Sequence, residues 1–252
     1  MLGFGSVESG FVGLAPAVRG ARGNGLARRC PLRQGRVMMS EAHQQTSDNG
    51  AQKPEVQLPL FPKRFDLVLA ALCAGELSLG AAVLILPPSL AGHTSWFSQI
   101  SLDVNAGATG LAFTVPLLIM GFGLSKVPLP FFQDLTKLTR QVVDELLGNS
   151  SIFELFLFAS AAGIGEELLF RNIILDTVNY LTNSESIGLA ISSLLFGLTH
   201  FASPAYAVLS GLAGVLFGWE FLLSSNNVVV PILTHSLYDF VFALIVIREY
   251  NR

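Results

Sequence analysis

The sequence predicts an all-α fold, a polytopic bundle of about six transmembrane helices with one amphipathic helix at the membrane interface. Hydrophobic residues make up 51% of the 252-residue chain and charged residues only 13%, whereas about a quarter of an average soluble domain is charged. Long apolar runs recur from residue 65 onward, and several approach the roughly 20 residues that a helix needs to cross the bilayer core. Lysine and arginine are concentrated in segments that would lie on one side of the membrane.

We place the transmembrane spans on six apolar runs. They cover about residues 65–86, 105–124, 152–181, 187–201, 206–223 and 228–247. Residues 129–148 differ, because apolar and charged side chains recur there at helical spacing, which is typical of an amphipathic helix lying at the interface. By this division residues 63–128 hold the first two transmembrane helices, and residues 129–148 form the amphipathic helix.

The basic residues favour an even number of spans. Six spans put the N-terminal segment, the amphipathic helix and the C-terminus on the same side, where lysine and arginine collect. The basic residues that share this side are Lys63, Arg64, Lys126, Lys137, Arg140, Arg248 and Arg252. The loop at 89–103 would lie on the opposite side, and it contains no lysine or arginine.

The N-terminal segment, residues 1–45, has the composition of an organellar transit peptide. Its first 40 residues hold six arginines, no lysine and a single acid, Glu8, and targeting segments of this kind are rich in arginine and poor in acids. A disordered tail is the alternative for the same composition. Residues 46–62 are polar and then punctuated by proline, so we interpret them as a linker.

Three clusters of ionisable residues lie inside predicted spans of the C-terminal half. They comprise Glu166, Glu167 and Arg171 in the third span, His200 in the fourth, and His235 and Asp239 in the sixth. A charged residue at the bilayer centre costs about 2.5–3.5 kcal/mol on insertion scales and is functional by default. The clusters therefore predict a polar functional site, and the residues alone leave a peptidase, a transporter and a metal site open. The formal net charge of -3 argues against a nucleic-acid partner, and membrane lipids are expected to surround the chain.

Helical spacing suggests a role for each member of the first and third clusters. Glu167 and Arg171 are one turn apart and can pair. Glu166 points about 100° away from Glu167, so it is the freer carboxylate and the candidate general base toward water. His235 and Asp239 share one face of the sixth span, where the carboxylate can orient the imidazole.

Two further acids lie within predicted spans. We interpret Glu76 in the first span and Glu220 in the fifth as facing a polar interior or a helix interface. The small residues that precede the glutamate pair in the third span, among them Gly163 and Gly165, predict close packing between helices.

The order and spacing of the three clusters carry a resemblance to a known family. Glu166-Glu167 with Arg171 four positions later, then Phe196-x-x-x-His200, then His235-x-x-x-Asp239 resembles the CAAX prenyl protease and bacteriocin-processing family (CPBP or Abi, lysostaphin-resistance-like) of intramembrane glutamate peptidases. The resemblance covers about residues 150–240 and implies that residues 149–252 form a catalytic core of this type. It implies an endopeptidase that hydrolyses a peptide bond near the membrane, in a peptide or membrane-protein substrate that is prenylated in some members.

The resemblance also assigns roles to the six residues. Glu166 would activate the attacking water with the help of His200, and Glu167 and Arg171 would form a supporting pair. His235 and Asp239 occupy positions linked with stabilising the oxyanion of the tetrahedral intermediate. The family's pattern has asparagine or aspartate at the last position, and its prenyl-protein peptidases have asparagine, which can donate a hydrogen bond. Asp239 cannot donate when it is ionised. The alternative is that Asp239 orients His235 and leaves the imidazole as the donor.

The resemblance leaves the use of a metal to be decided. The implied mechanism uses glutamate and water without a cofactor. Zinc held by Glu166, His200 and His235 is the alternative, although no closely spaced His-x-x-x-His pair is present.

Other functions and several locations also stay open. A non-proteolytic membrane adaptor with the same fold is the second functional hypothesis. A proton-coupled transporter is disfavoured, because the ionisable residues lie in one half of the chain and no inverted repeat is visible. The family's occurrence in plastids favours the thylakoid or envelope membrane, with a mitochondrial membrane or the endoplasmic reticulum as alternatives.

Overall fold

A computed structural model describes residues 59–62, 66–142 and 150–250, and every regular element in these ranges is a helix. The predicted transit peptide 1–45 and most of the linker 46–62 lie outside the described residues. The helices are α1 (Leu67–Gly80), α2 (Val104–Ser125), α3 (Pro130–Val142), α4 (Ile152–Glu167), α5 (Asp176–Thr182), α6 (Glu185–Thr199), α7 (Pro204–Leu223) and α8 (Val229–Tyr250). A π-helical segment, Leu168–Leu175, joins α4 to α5. The all-α membrane bundle is thereby confirmed.

Four of the six predicted spans are long and apolar enough to cross a bilayer on their own. These are Leu67–Leu84, Val104–Leu124, Pro204–Leu223 and Val229–Arg248. The first of them continues from α1 into the 3₁₀ turn Ala81–Leu84. The amphipathic segment predicted at 129–148 contains α3 at Pro130–Val142, and its last residues fall outside the described ranges.

The third and fourth predicted spans differ from simple membrane-crossing helices. The third is a continuous helical path through α4, the π-helical segment and α5, and it carries the charged residues. The fourth was predicted to include His200, but α6 ends at Thr199 and His200 is its C-cap residue. At 15 residues, α6 is roughly 22 Å long, which is shorter than the hydrocarbon core of about 30 Å.

Side-chain caps define where several helices begin. Ser151 and Glu154 form a reciprocal capping box at the start of α4, with Ser151 N donating to Glu154 Oε2 at 2.8 Å and Glu154 N donating to Ser151 Oγ at 3.2 Å. Asp103 caps α2, and its hydrogen bond from the Ala106 N–H lowers the pKa of this carboxyl. Such caps satisfy the amide groups that a helix leaves unpaired at its N-terminus.

At one end of the bundle, the loop between α1 and α2 contacts the turn before α8 and the first residue of α5. Asn227, in the turn before α8, exchanges hydrogen bonds with both the N–H and the carbonyl of Ser101 at 3.1 and 2.9 Å. Gln99 Nε2 donates to Asp176 Oδ2 at 2.6 Å, and the same oxygen lies 2.5 Å from His93 Nε2. These contacts place the loop after the predicted first span against the turn after the fifth span and against Asp176 in the later part of the third.

Two glycines allow α4 to lie close to its neighbours, as the small residues predicted. A Cβ on Gly165 would collide with the backbone carbonyl of Glu76 in α1, and one on Gly163 would collide with Ser236 in α8. Hydrogen in place of a side chain therefore lets both helix backbones approach α4 at the level of the glutamate pair.

Candidate intramembrane site

The polar residues predicted from the sequence gather where α4 passes into the π-helical segment. Glu166 and Glu167 are the last two residues of α4, and Arg171 lies in the π-helical segment. Single π-helical turns are rare and occur frequently at functional sites. The other three residues are brought to the same place by the C-terminal end of α6, at His200, and by the middle of α8, at His235 and Asp239.

Arg171 and Glu167 form a fully buried ion pair. Arg171 Nη1 donates to Glu167 Oε1 at 2.9 Å, and both side chains have 0% exposure. Arg171 Nη2 donates to the Gly214 carbonyl at 3.0 Å, and the guanidinium carbon lies 4.5 Å from the centre of the Phe196 ring. The pair thus joins the π-helical segment to α4 and α7 and sits on an aromatic surface from α6.

His235 lies between two carboxylates. Its Nδ1 is 2.8 Å from Glu167 Oε1, and its Nε2 is 3.3 Å from Asp239 Oδ2. The imidazole stacks on Phe217 with ring centres 4.7 Å apart. The sequence predicted the contact with Asp239 but not the contact with Glu167. Arg171, Glu167, His235 and Asp239 therefore form one continuous chain of polar contacts.

His200 faces Glu166 across a gap too long for a direct hydrogen bond. His200 Nε2 is 3.7 Å from Glu166 Oε2, and the other ring nitrogen, Nδ1, is 2.8 Å from the Phe196 carbonyl oxygen. Because a carbonyl only accepts, Nδ1 carries the proton, and Nε2 of the neutral ring is an acceptor. Glu166 Oε2 is buried and has no hydrogen-bond partner among the residues that the structure describes.

The short length of α6 explains the position of His200. A helix of roughly 22 Å that starts at the end of the bundle near α5 stops before it has crossed the hydrocarbon core. Its C-cap residue His200 therefore lies level with the end of α4, where its Nε2 is 3.7 Å from Glu166 Oε2. Nothing in the hydropathy pattern indicates this, because the apolar run continues past His200 to Phe201.

Glu76 and Glu220 lie closer to the site than the sequence indicated. Glu76, half-buried in α1, interacts electrostatically with Glu166, which agrees with the close approach of its backbone carbonyl to Gly165. Glu220 of α7 is fully buried, and within the described part of the chain neither of its carboxyl oxygens has a hydrogen-bond partner. A local pattern could not have placed either acid, because their partners are distant in the sequence.

The zinc alternative can be tested against the arrangement of the donor groups. In residues 59–62, 66–142 and 150–250, no three His, Cys, Asp or Glu side chains converge as a metal ion would require. His235 directs its nitrogens at Glu167 and Asp239 rather than at Glu166 and His200. The proposed ligands Glu166, His200 and His235 do not fit a zinc ion in this conformation, and we derive no step through a metal.

The fold and the site together define a helical integral membrane protein with a buried polar site. Residues 148–241 match the family model described as Rce1-like, Type II CAAX prenyl endopeptidase Rce1-like. This match over part of the chain confirms the resemblance to the CAAX prenyl protease family found in the motifs. The matched segment contains all six predicted site residues and excludes Glu76. No curated protein and no solved structure matches the chain.

Proposed function

We propose that the protein is an intramembrane endopeptidase in which Glu166 activates water for attack on a peptide bond. The family match supports a CAAX-type membrane protease at the level of the family. The observation that carries the mechanism is the pairing of Glu166 Oε2 with His200 Nε2 at 3.7 Å. A water molecule between these two acceptor atoms can donate one hydrogen bond to each.

The proposed reaction assigns the proton of the attacking water to Glu166. The water oxygen forms a bond to the carbonyl carbon of the substrate while one of its protons passes to the Glu166 carboxylate. When the tetrahedral intermediate collapses, the C–N bond breaks and the leaving amine takes that proton. The Glu167–Arg171 pair fixes the end of α4 and so positions Glu166, its neighbour in the chain.

The substitutions Glu166→Gln and His200→Ala test this mechanism. Glutamine keeps the shape of the side chain but cannot accept the proton, so we expect peptide cleavage to fall by about 10²–10⁴-fold. Purified protein in proteoliposomes would be assayed with a quenched fluorescent peptide ending in a farnesylated CAAX sequence, and with the same peptide lacking the lipid. The matched control is Glu185→Gln, an exposed acid in the first turn of α6.

The two peptides test the substrate class, and the two variants test the mechanism. Cleavage of the farnesylated peptide alone would support a prenylated substrate, and cleavage of both would support a broader membrane endopeptidase. Full activity of both Glu166→Gln and His200→Ala would contradict the mechanism. Loss of wild-type activity with a strong chelator, restored by zinc, would favour the metal alternative.

We further propose that the protein works in an organellar membrane, with the plastid preferred over the mitochondrion. The arginine-rich composition of residues 1–45 supports targeting to an organelle. If the enzyme faces the interior of a plastid, its substrates are plastid membrane proteins or peptides rather than farnesylated cytosolic proteins.

A non-proteolytic membrane adaptor is the second candidate, and Asp239 is the observation that favours it. This acid replaces a residue that donates hydrogen bonds in prenyl-protein peptidases, and it lies against His235 Nε2. Replacement of the native gene by Glu166→Gln distinguishes the two functions. An adaptor would keep its cellular function, whereas a peptidase would lose it.

A further inference from the structure

The proposed hydrolysis needs a hydrogen-bond donor for the tetrahedral oxyanion. Attack of water moves the carbonyl electron pair onto oxygen, and proteins meet this charge with positioned hydrogen-bond donors. Glu166 lies among acids and histidines, and the nearby Arg171 guanidinium directs Nη1 at Glu167 and Nη2 at the Gly214 carbonyl. The donor must be an N–H or O–H beside them that is free to point at a substrate.

The two imidazoles have their N–H groups engaged elsewhere. His235 faces Glu167 with Nδ1 and Asp239 with Nε2, so a carboxylate lies next to each of its nitrogens. His200 uses its Nδ1–H for the Phe196 carbonyl at 2.8 Å, which leaves Nε2 as an acceptor in the neutral ring. Asp239 itself accepts but does not donate when ionised.

Tyr206 carries a hydroxyl donor beside His200. It lies in the first turn of α7, and its ring meets the His200 ring edge-on, with centres 5.5 Å apart and an angle of 77°. This contact places Tyr206 beside the histidine whose Nε2 lies 3.7 Å from Glu166 Oε2. A phenol hydroxyl can donate a hydrogen bond to a substrate oxygen while it also accepts one.

We propose that Tyr206 is a catalytic residue whose hydroxyl donates the hydrogen bond that stabilises the oxyanion, replacing the donor that Asp239 cannot provide. The hydroxyl keeps its proton throughout the reaction. The C–O bond to water forms, the carbonyl pair moves to oxygen, and the Tyr206 O–H bonds to that oxygen until the C–N bond breaks. This proposal rests on the proposed peptidase function and concerns the same site.

The test compares Tyr206→Phe with Tyr238→Phe. Phenylalanine retains the ring against His200 and removes only the hydroxyl, so we expect kcat to fall by about 10²–10³-fold with KM changed less than about twofold, because the lost interaction forms only in the transition state. Tyr238 is the matched control, because its ring stacks on Phe242 and its hydroxyl lies beside Gly121 of α2. We expect the kcat of Tyr238→Phe to remain within about twofold of the wild type.

An asparagine at position 239 can test whether Tyr206 acts in catalysis or only in the structure. An asparagine introduced at position 239 can donate a hydrogen bond from the place where Asp239 cannot. The double variant Tyr206→Phe with Asp239→Asn should therefore be at least about tenfold more active than Tyr206→Phe, since a single good donor is worth about 10²–10³ in rate. The variant Tyr206→Phe with Asp239→Ala provides no donor and should not recover. Thermal stability measured for each variant in detergent shows whether the site has remained folded.

Each outcome has one meaning. Unchanged kcat in Tyr206→Phe, or equal activity in the asparagine and alanine double variants, would overturn the role of Tyr206 while leaving the peptidase intact. Wild-type activity no greater than that of Glu166→Gln would overturn the proposed function, and this assignment with it. A fall in kcat that asparagine restores supports both.

Discussion

Replacing Arg171 with methionine should destabilise the protein because it leaves a buried carboxylate without its strongest partner. Removing one member of a buried ion pair costs about 3–5 kcal/mol. Both Arg171 and Glu167 are completely buried, but His235 Nδ1 still lies 2.8 Å from the same Glu167 oxygen. We therefore expect a loss near the lower limit, about 3 kcal/mol, which corresponds to a fall in Tm of about 6–12 °C for a chain of this size.

The measurement is thermal unfolding of purified protein in a fixed detergent, followed by tryptophan fluorescence or size-exclusion chromatography. Arg248→Met is the matched control, because Arg248 is exposed in the last turn of α8, and we expect its stability to stay within about 0.5 kcal/mol. Adding Glu167→Gln to Arg171→Met removes the unpaired charge and should recover about 1 kcal/mol or more through coupling. Equal Tm values for Arg171→Met and Arg248→Met would refute the reasoning.

Two other predictions concern packing and targeting. Gly165→Ala should lower stability by about 1–3 kcal/mol, because the new Cβ meets the Glu76 carbonyl, whereas Gly75→Ala, which meets nothing within 4 Å, should be neutral or stabilising by up to about 1 kcal/mol. Thermal unfolding tests this pair, and the same Tm for both variants would contradict the close approach of α1 and α4. Residues 1–45 fused to a fluorescent protein should enter plastids, and a cytosolic signal in plant cells would end the transit-peptide interpretation.

The parts of the site that could be predicted are those in which both partners lie within one helical turn. Glu167 and Arg171, and His235 and Asp239, are each four residues apart, so spacing alone placed them together. The contact between His235 and Glu167 joins residues 68 positions apart, and no pattern in either segment indicates it. No local pattern indicates the position of Glu76 either. It lies near Glu166 because Gly165 allows α1 to pack closely against α4.

Membrane spans were predictable for a similar local reason, since the length and polarity of a segment decide whether it can cross a bilayer. The end of α6 was not. The apolar run continues past Thr199 to Phe201, whereas the helix ends at Thr199 and His200 is its C-cap residue. The Nδ1 atom of His200 is hydrogen-bonded to the Phe196 carbonyl in the last turn. The helix ends two residues before the predicted span does, and composition does not indicate where a helix stops within an apolar run.

Compared with an asparagine, the aspartate at position 239 adds a negative charge to the site and removes a hydrogen-bond donor. Both His235 nitrogens face carboxylates, and a ring can donate to both only when it is protonated on both. An imidazolium balances Asp239 as Arg171 balances Glu167, so the four groups are together neutral and Glu166 is left outside the pairing. An asparagine at this position would need no second proton on His235 and would add a donor of its own. With aspartate at position 239, His235 lies between two carboxylates as their counter-ion, which is why we propose an oxyanion donor on another helix, at Tyr206 of α7.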